Sequence, residues 1–303
     1  MSFGHHAARE TGVPGVALWT ASCCGFMGYR NYRRLLELGL VPFKDAAQLA
    51  DDEHGHLAAV VRGVRGMCDG VQLRDFPSFV RTTDRDDVMF NFLMRESERL
   101  SLHDAVVVNS LDDLDGATLD TMRDILPPLF TVGPLLLLER RLVPESPLGS
   151  SLWKVQPGIL EWLDGRAPRS VVYVNYGSNT VMTNEQLLEF AWGLANTGYP
   201  FLWNVRPDLV KDSDSGGGLP PEFMAAVDGR SLLTTWCPQE AVLAHEAVGV
   251  FLTHSGWNST LEAICGGVPM LCWPFFAEQQ TNSRYARTEW GVAMEIGSKV
   301  RRS

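Results

Sequence analysis

Between residues 171 and 296, short apolar runs alternate with helix-forming stretches, and this rhythm restricts the fold more than any other feature of the chain. Strand-like runs fall at 171–176, 201–205, 231–235, 248–253, 269–273 and 292–296. Helical spacing occupies 184–196, 259–265 and 278–289 between several of them. Apolar strands separated by helix-length crossovers pair in parallel and are covered by helices on both faces. Right-handed crossovers make such a sheet doubly wound. Its ligands bind beyond the carboxyl ends of the strands, so those ends are where chemistry is expected.

The first part of the chain shows the same alternation less cleanly. Strands are expected at 13–20, 105–109 and 130–134. Helices are expected at 27–38 (closed by Gly39), at 89–102 and at 114–126 (stopped by Pro127 and Pro128). Residues 44–87 are mixed and polar and carry no clear period. Residues 139–158 are rich in Pro, Gly, Ser and charge, the composition of a linker. An α/β chain of two units is therefore expected: 1–138, a linker at 139–158, and 159–303.

A length of 303 residues leaves room for two domains, and 45% hydrophobic with 20% charged residues is a globular profile. The net charge of −10 argues against a nucleic-acid partner, which needs a basic face. A single nucleotide needs only local donors. Six cysteines are present; Cys265 and Cys272 lie in apolar runs, and the reading is buried free thiols of a reducing compartment. Residues 1–6 have no leader character, and no run reaches the roughly 18–20 apolar residues of a membrane span, so the expectation is a cytoplasmic monomer without a membrane span. The chain opens into a helix-like segment and stops just after a strand, as a fragment would.

Three strand ends carry the candidate site. The run at 248–253 leads into His254, Ser255, Gly256, Trp257, Asn258 and Ser259, followed by a helix containing Glu262. A helix start offers unpaired N–H groups and a positive dipole end to a phosphate. Gly256 permits close backbone approach, and His254, Asn258 and Ser259 add polar side chains. Glu262, one turn beyond Ser259, offers a carboxylate suited to a ribose diol. The same letters also spell a capping box, Ser259 to Glu262, in which those side chains only satisfy helix-end donors. Trp236, after the run at 231–235, is able to stack a base or to belong to the core. Glu278 and Gln279 after the run at 269–273 offer hydrogen bonds to a polyol, or a cap to the next helix.

Taken as a set, the 44 residues from Trp236 to Gln279, WCPQEAVLAHEAVGVFLTHSGWNSTLEAICGGVPMLCWPFFAEQ, resemble the signature of plant family-1 UDP-dependent glycosyltransferases. Trp162-Leu163-Asp164, the following Ser170–Val174 strand with Gly177-Ser178, and the segments 12–39 and 130–134 extend the likeness over nearly the whole chain. The resemblance implies two Rossmann-like doubly wound domains of the GT-B type, the N-terminal one incomplete. It implies that Trp236 stacks on uracil, that the Cys237 backbone pairs with the base edge, and that Gln239 and Glu262 hold the ribose. His254, Gly256, Asn258 and Ser259 would meet the diphosphate, helped by Ser178 or Thr180. Trp257, Glu278 and Gln279 would face the sugar, and Gln279 in the last position favours glucose. UDP-glucose is then the donor substrate, with no cofactor and no metal. The partner is a small-molecule acceptor, with cyanohydrins and terpenoid alcohols as the nearest group.

In this family a histidine base and its aspartate partner drive an inverting attack by the acceptor hydroxyl. By the resemblance both fall before Met1, so no catalytic residue is assigned, and His5 and His6 are read as helix-surface or packing residues. The alternative expectation is an inactive UDP-sugar-binding fragment. Phe90, with Met89, Phe92 and Leu93, is a candidate for the acceptor pocket or for the core.

Overall fold

The computed structural model describes residues 2–50, 55–143, 154–210 and 218–296. It contains nine strands among these residues: β1 (Val16–Trp19), β2 (Ala105–Val108), β3 (Leu129–Thr131), β4 (Val171–Asn175), β5 (Phe201–Asn204), β6 (Ser231–Thr234), β7 (Val248–Thr253), β8 (Met270–Cys272) and β9 (Ala293–Glu295). The chain divides into two compact units. Among the described residues, one unit holds 2–143, 274–291 and 295–296, and the other holds 154–273 and 292–294.

The first unit has a three-stranded parallel sheet in the order β1-β2-β3. Val106 and Val108 are buried on one face beside Phe26, Met27, Leu119 and Met122. The helix expected at 27–38 is two helices, Cys23–Arg30 and Tyr32–Glu37. Asn31 separates them: its Nδ2 donates to the Met27 carbonyl at 2.7 Å and to the Arg65 carbonyl at 2.9 Å, so the side chain competes with the helical ladder. The described residues of 44–87 form short helical turns and one isolated antiparallel bridge, Val60 with Gln72, yet Leu57, Val61, Val71, Leu73, Phe76 and Val80 pack in one core with Tyr32 and Phe90. Isolated apolar anchors on turns leave no period to read. Phe90 belongs to this core, stacked on Tyr32 with ring centroids 4.7 Å apart, while Met89 is exposed. His5 is packed within the helix Ser2–Thr11 against His103.

Residues 274–291 join this first unit. The helix Gln279–Thr288 is tied to it by Ser22 Oγ donating to Asn282 Oδ1 at 2.5 Å and Thr281 Oγ1 donating to the Asp75 carbonyl at 2.7 Å. The helix Leu135–Leu142 covers the start of the linker expected at 139–158, of which 144–153 lie outside the described residues.

The second unit is built on a six-stranded sheet in the order β6-β5-β4-β7-β8-β9. The β4, β5, β6, β7 and β8 pairings are parallel. Tyr173, Phe201, Leu202, Trp203 and Phe251 are fully buried, as strands covered on both faces require. The order matters for function. The chain runs outward from β4 through β5 to β6, then returns to the other side of β4 at β7. That reversal opens a crevice beyond the carboxyl ends of β4 and β7. Asn175 pairs with Thr253, so both strands end at the same level and their following loops lie side by side. The short helices Ile159–Asp164, Pro221–Ala226 and Gln239–Leu243, each under two turns, were not legible as helical periods.

The six cysteines are free. Four are buried, but Cys265, expected in the core, is half-buried, as is Cys68. Among the described residues no helix is long and apolar enough to cross a membrane.

Candidate functional site

The β4/β7 crevice holds a cleft of about 310 Å³. It is lined by Asn175, Gly177 and Ser178 after β4, by Trp236, Cys237 and Gln239 after β6, and by His254, Gly256, Trp257, Asn258, Ser259 and Glu262 after β7. Ten of the thirteen residues singled out in the sequence line this cleft together. Thr180 does not line it; its side chain is fully buried. Glu278 and Gln279 belong to the first unit. There Tyr29 donates to Glu278 Oε2 at 3.2 Å, and burial raises the Glu278 carboxyl above its ordinary pKa. Gln279 Oε1 accepts from the Phe275 and Phe276 N–H groups at 2.9 and 3.0 Å, closing the turn ahead of its helix.

The helix after β7 spans Trp257–Gly266, with Gly256 at its N-cap and no side-chain cap bond. The capping box spelled by Ser259 and Glu262 is therefore not formed; both residues lie inside the helix. No acidic residue occupies its first turn, so nothing there offsets the positive dipole end. The chain enters through Ser255, whose φ of 65° is left-handed. That turn places Gly256 against the cleft.

Ser259 and Glu262 are instead bound into a polar network on the floor of the cleft, and its direction can be worked out from one backbone group. The Gly177 N–H donates to Asn175 Oδ1 at 2.9 Å, which turns Asn175 Nδ2 the other way. Nδ2 donates to Gln239 Oε1 at 2.7 Å, and the Tyr173 hydroxyl donates to the same oxygen at 2.8 Å. Gln239 Nε2 therefore faces Ser259 Oγ, at 2.9 Å, and Glu262 Oε2. All four hydrogen-bonding positions of the Gln239 amide are engaged by the protein. Cys237 Sγ lies 3.1 Å from the Tyr173 hydroxyl. Burial pushes its pKa up to about 11, so the thiol stays protonated and is able to donate. Asn175 and Tyr173 were not singled out in the sequence. The available signal was a polar Asn ending an otherwise apolar strand.

His254 forms the wall between the two loops. A methyl group on Gly177 or on Gly256 would overlap its Nε2, so both glycines make room for the imidazole. Burial first, and then the positive charge of Arg206, lower the His254 pKa to about 4. The ring is neutral at pH 7 and offers an N–H rather than a charge. Its folded pKa lies below the ordinary 6.5, so between those values the unfolded chain holds a proton that the folded chain does not. Stability therefore rises with pH across that window, by up to about 3 kcal/mol. Denaturant unfolding of His254→Gln between pH 4.5 and 7 is expected to show a shallower rise than the parent. Parallel profiles would mean that His254 is not held neutral.

A larger hollow, about 480 Å³, lies in the first unit among Arg30, Arg33, Arg34 and Arg65. Arg30 and Arg33 pair with Glu98, Arg34 with Glu37 and Arg65 with Asp124. No residue singled out in the sequence lines it.

Comparison with known proteins gives a consistent picture. Residues 153–299 match the family model described as UDP-glucoronosyl and UDP-glucosyl transferase. The whole chain is 52% identical to a 7-deoxyloganetin glucosyltransferase of Gardenia jasminoides, covering 62% of it. Ninety-nine per cent of the chain is 50% identical to a (R)-mandelonitrile beta-glucosyltransferase of Prunus dulcis, again covering 62% of that protein. The chain thus spans about 62% of the length of these curated relatives. Among solved structures, Phytolacca americana UGT2, complexed with UDP-2fluoro-glucose and pterostilbene, matches 99% of the chain at TM-score 0.78 and 30% identity, with 61% of that structure covered. Os79 from O. sativa in complex with UDP matches 96% at TM-score 0.75 and 31% identity, again with 61% covered. The α/β class, with parallel sheets in both units, is that of these GT-B structures.

Proposed function

We infer the reaction from the family: the chain belongs to the plant family-1 UDP-dependent glycosyltransferases, and its protein transfers glucose from UDP-glucose to a hydroxyl of a small lipophilic plant metabolite. The relatives named as glucosyltransferases of 7-deoxyloganetin and (R)-mandelonitrile support glucose as the sugar and a small alcohol as the acceptor. One observation carries the reading. An indole, a carboxylate held by a carboxamide, an imidazole and an uncapped helix start line one cleft in the second unit.

In this reading the uracil lies on Trp236, with its edge on the Cys237 backbone. Glu262 takes the ribose diol, and Gln239, its amide already engaged, orients that carboxylate. The diphosphate sits at the helix start beside His254, Gly256, Asn258, Ser259 and Ser178. Trp257 bounds the sugar end of this cleft. As the bond from the anomeric carbon to UDP breaks, negative charge grows on the diphosphate oxygens. N–H donors fixed in advance stabilise that charge without reorganising. The acceptor hydroxyl attacks from the opposite face, which inverts the anomeric carbon, and gives up its proton to a base. The reading invokes no metal and no cofactor, and a monomer working in the cytoplasm.

Calorimetric titration with UDP tests the donor site. Trp236→Ala is expected to weaken UDP binding by about 1–3 kcal/mol, the scale of base stacking on an aromatic ring. Unchanged affinity in a folded variant would remove the stacking role. A UDP-glucose transfer assay over small alcohols and phenols tests the reaction itself, with a glucoside of inverted configuration as the expected product.

A further inference from the structure

We propose that Arg206 is a positioning residue for the diphosphate end of the cleft: it fixes the loop after β4 from behind and supplies a buried positive charge there. This rests on the donor-site reading above.

Arg206 lies two residues beyond β5, the neighbour of β4 in the sheet. It is 3% exposed. Its Nη1 donates to the Gly177 carbonyl and its Nη2 to the Thr180 carbonyl at 2.9 Å, while Nε donates to Asp208 Oδ1 at 3.0 Å. A planar fork of donors is what two carbonyls of one tight loop require, and Lys has no such fork. Two consequences follow. The carbonyl ends at Gly177 and Thr180 are turned toward the guanidinium, so their negative ends do not face an incoming phosphate. Ser178, exposed on the cleft wall, lies between these two anchored positions.

The charge balance points the same way. Burying a guanidinium is costly unless a counter-charge is buried with it. Among the described residues, the carboxylate bonded to Arg206 is that of Asp208, whose side chain is 62% exposed. Water screens that carboxylate far more than it screens the cation. Among the described residues this leaves an excess of positive charge behind Gly177, which itself lines the cleft. The imidazole of His254 registers it: Arg206 is the second cause, after burial, of its low proton affinity. A diphosphate in the crevice would complete the pair. Charge held by backbone carbonyls rather than by an acid is charge left available to a ligand.

The test compares uridine with UDP, because the two share base and ribose and differ at the diphosphate. NMR or calorimetric titrations would be run on this chain, on Arg206→Met, on Arg206→Lys and on Asp208→Asn. Arg206→Met is expected to lose on the order of tenfold in UDP affinity, the scale of a lost charged interaction, with uridine affinity nearly unchanged. Arg206→Lys should restore part of the UDP preference. Asp208→Asn, which removes the screened counter-charge, should leave uridine unchanged and tighten UDP about twofold at low salt. Equal losses for uridine and UDP in Arg206→Met would reduce Arg206 to a structural role and overturn the proposal. If that variant does not fold, an unaltered UDP-to-uridine ratio in both other variants overturns it equally. A parent chain that does not prefer UDP to uridine would instead sink the donor-site reading itself.

Discussion

Gly256→Ala is expected to weaken UDP binding by about 1–3 kcal/mol, the usual cost of forcing a methyl group into a packed site. The backbone is not the cause, since φ −64° and ψ 147° at Gly256 suit alanine. The new Cβ would overlap His254 Nε2 and lie 3.0 Å from its Cε1, so the imidazole has to leave its place in the cleft wall, where the proposed function sets it beside the diphosphate. Alanine at an N-cap also costs some helix stability. A double-mutant cycle separates the two effects. In a His254→Ala background the clash is gone while the N-cap cost stays, so Gly256→Ala should there cost only a small part of its effect on UDP binding. Additive losses in the two backgrounds would mean that the glycine does not act through His254. Gly177 faces the same atom, but its φ of 75° would add backbone strain to the clash. Gly256 is therefore the cleaner probe.

The second large effect is expected at Glu262. Hydrogen bonds to a carboxylate are worth about 1.5–3 kcal/mol, so the parent chain should bind UDP at least about tenfold more tightly than 2′-deoxy-UDP. Glu262→Ala should lower UDP affinity by that amount and remove the preference. The carboxylate is held by Gln239 Nε2, and Gln239 is held by Tyr173 and Asn175. Asn175→Leu removes one of the two donors that hold the Gln239 carbonyl and should therefore blunt the same preference. A preference for the ribose hydroxyl that survives Glu262→Ala would place the diol elsewhere.

Particular residues show how far the sequence could be read. The second unit was legible because β4, β5 and β7 are apolar on both faces, and that pattern has one common solution. The end of β7 was legible too, since a helix following a buried strand at a glycine has few conformations. The start of that helix was displaced by the capping-box spelling: Ser259 and Glu262 look like a cap locally, but Gly256 takes the N-cap and frees them for Gln239. Asn175 was legible in principle, as a polar residue closing an apolar strand. Arg206 was not. Its partners are carbonyls of a loop 26 to 29 residues earlier, brought near only by the β5–β4 adjacency. The placement of 274–291 in the first unit was hidden for the same reason, since Ser22 and Asn282 meet through the fold alone. Mixed segments such as 44–87 resisted because isolated anchors on turns obey no period.

The account stands on one nucleotide touching Trp236, Glu262 and His254 at once. The most direct measurement is a crystal structure of the chain soaked with UDP. Uracil density parallel to the Trp236 indole, the ribose diol on Glu262, and the diphosphate at the Gly256–Ser259 turn beside His254 are the predicted result. UDP bound in another place, or touching only one of those three side chains, would contradict it.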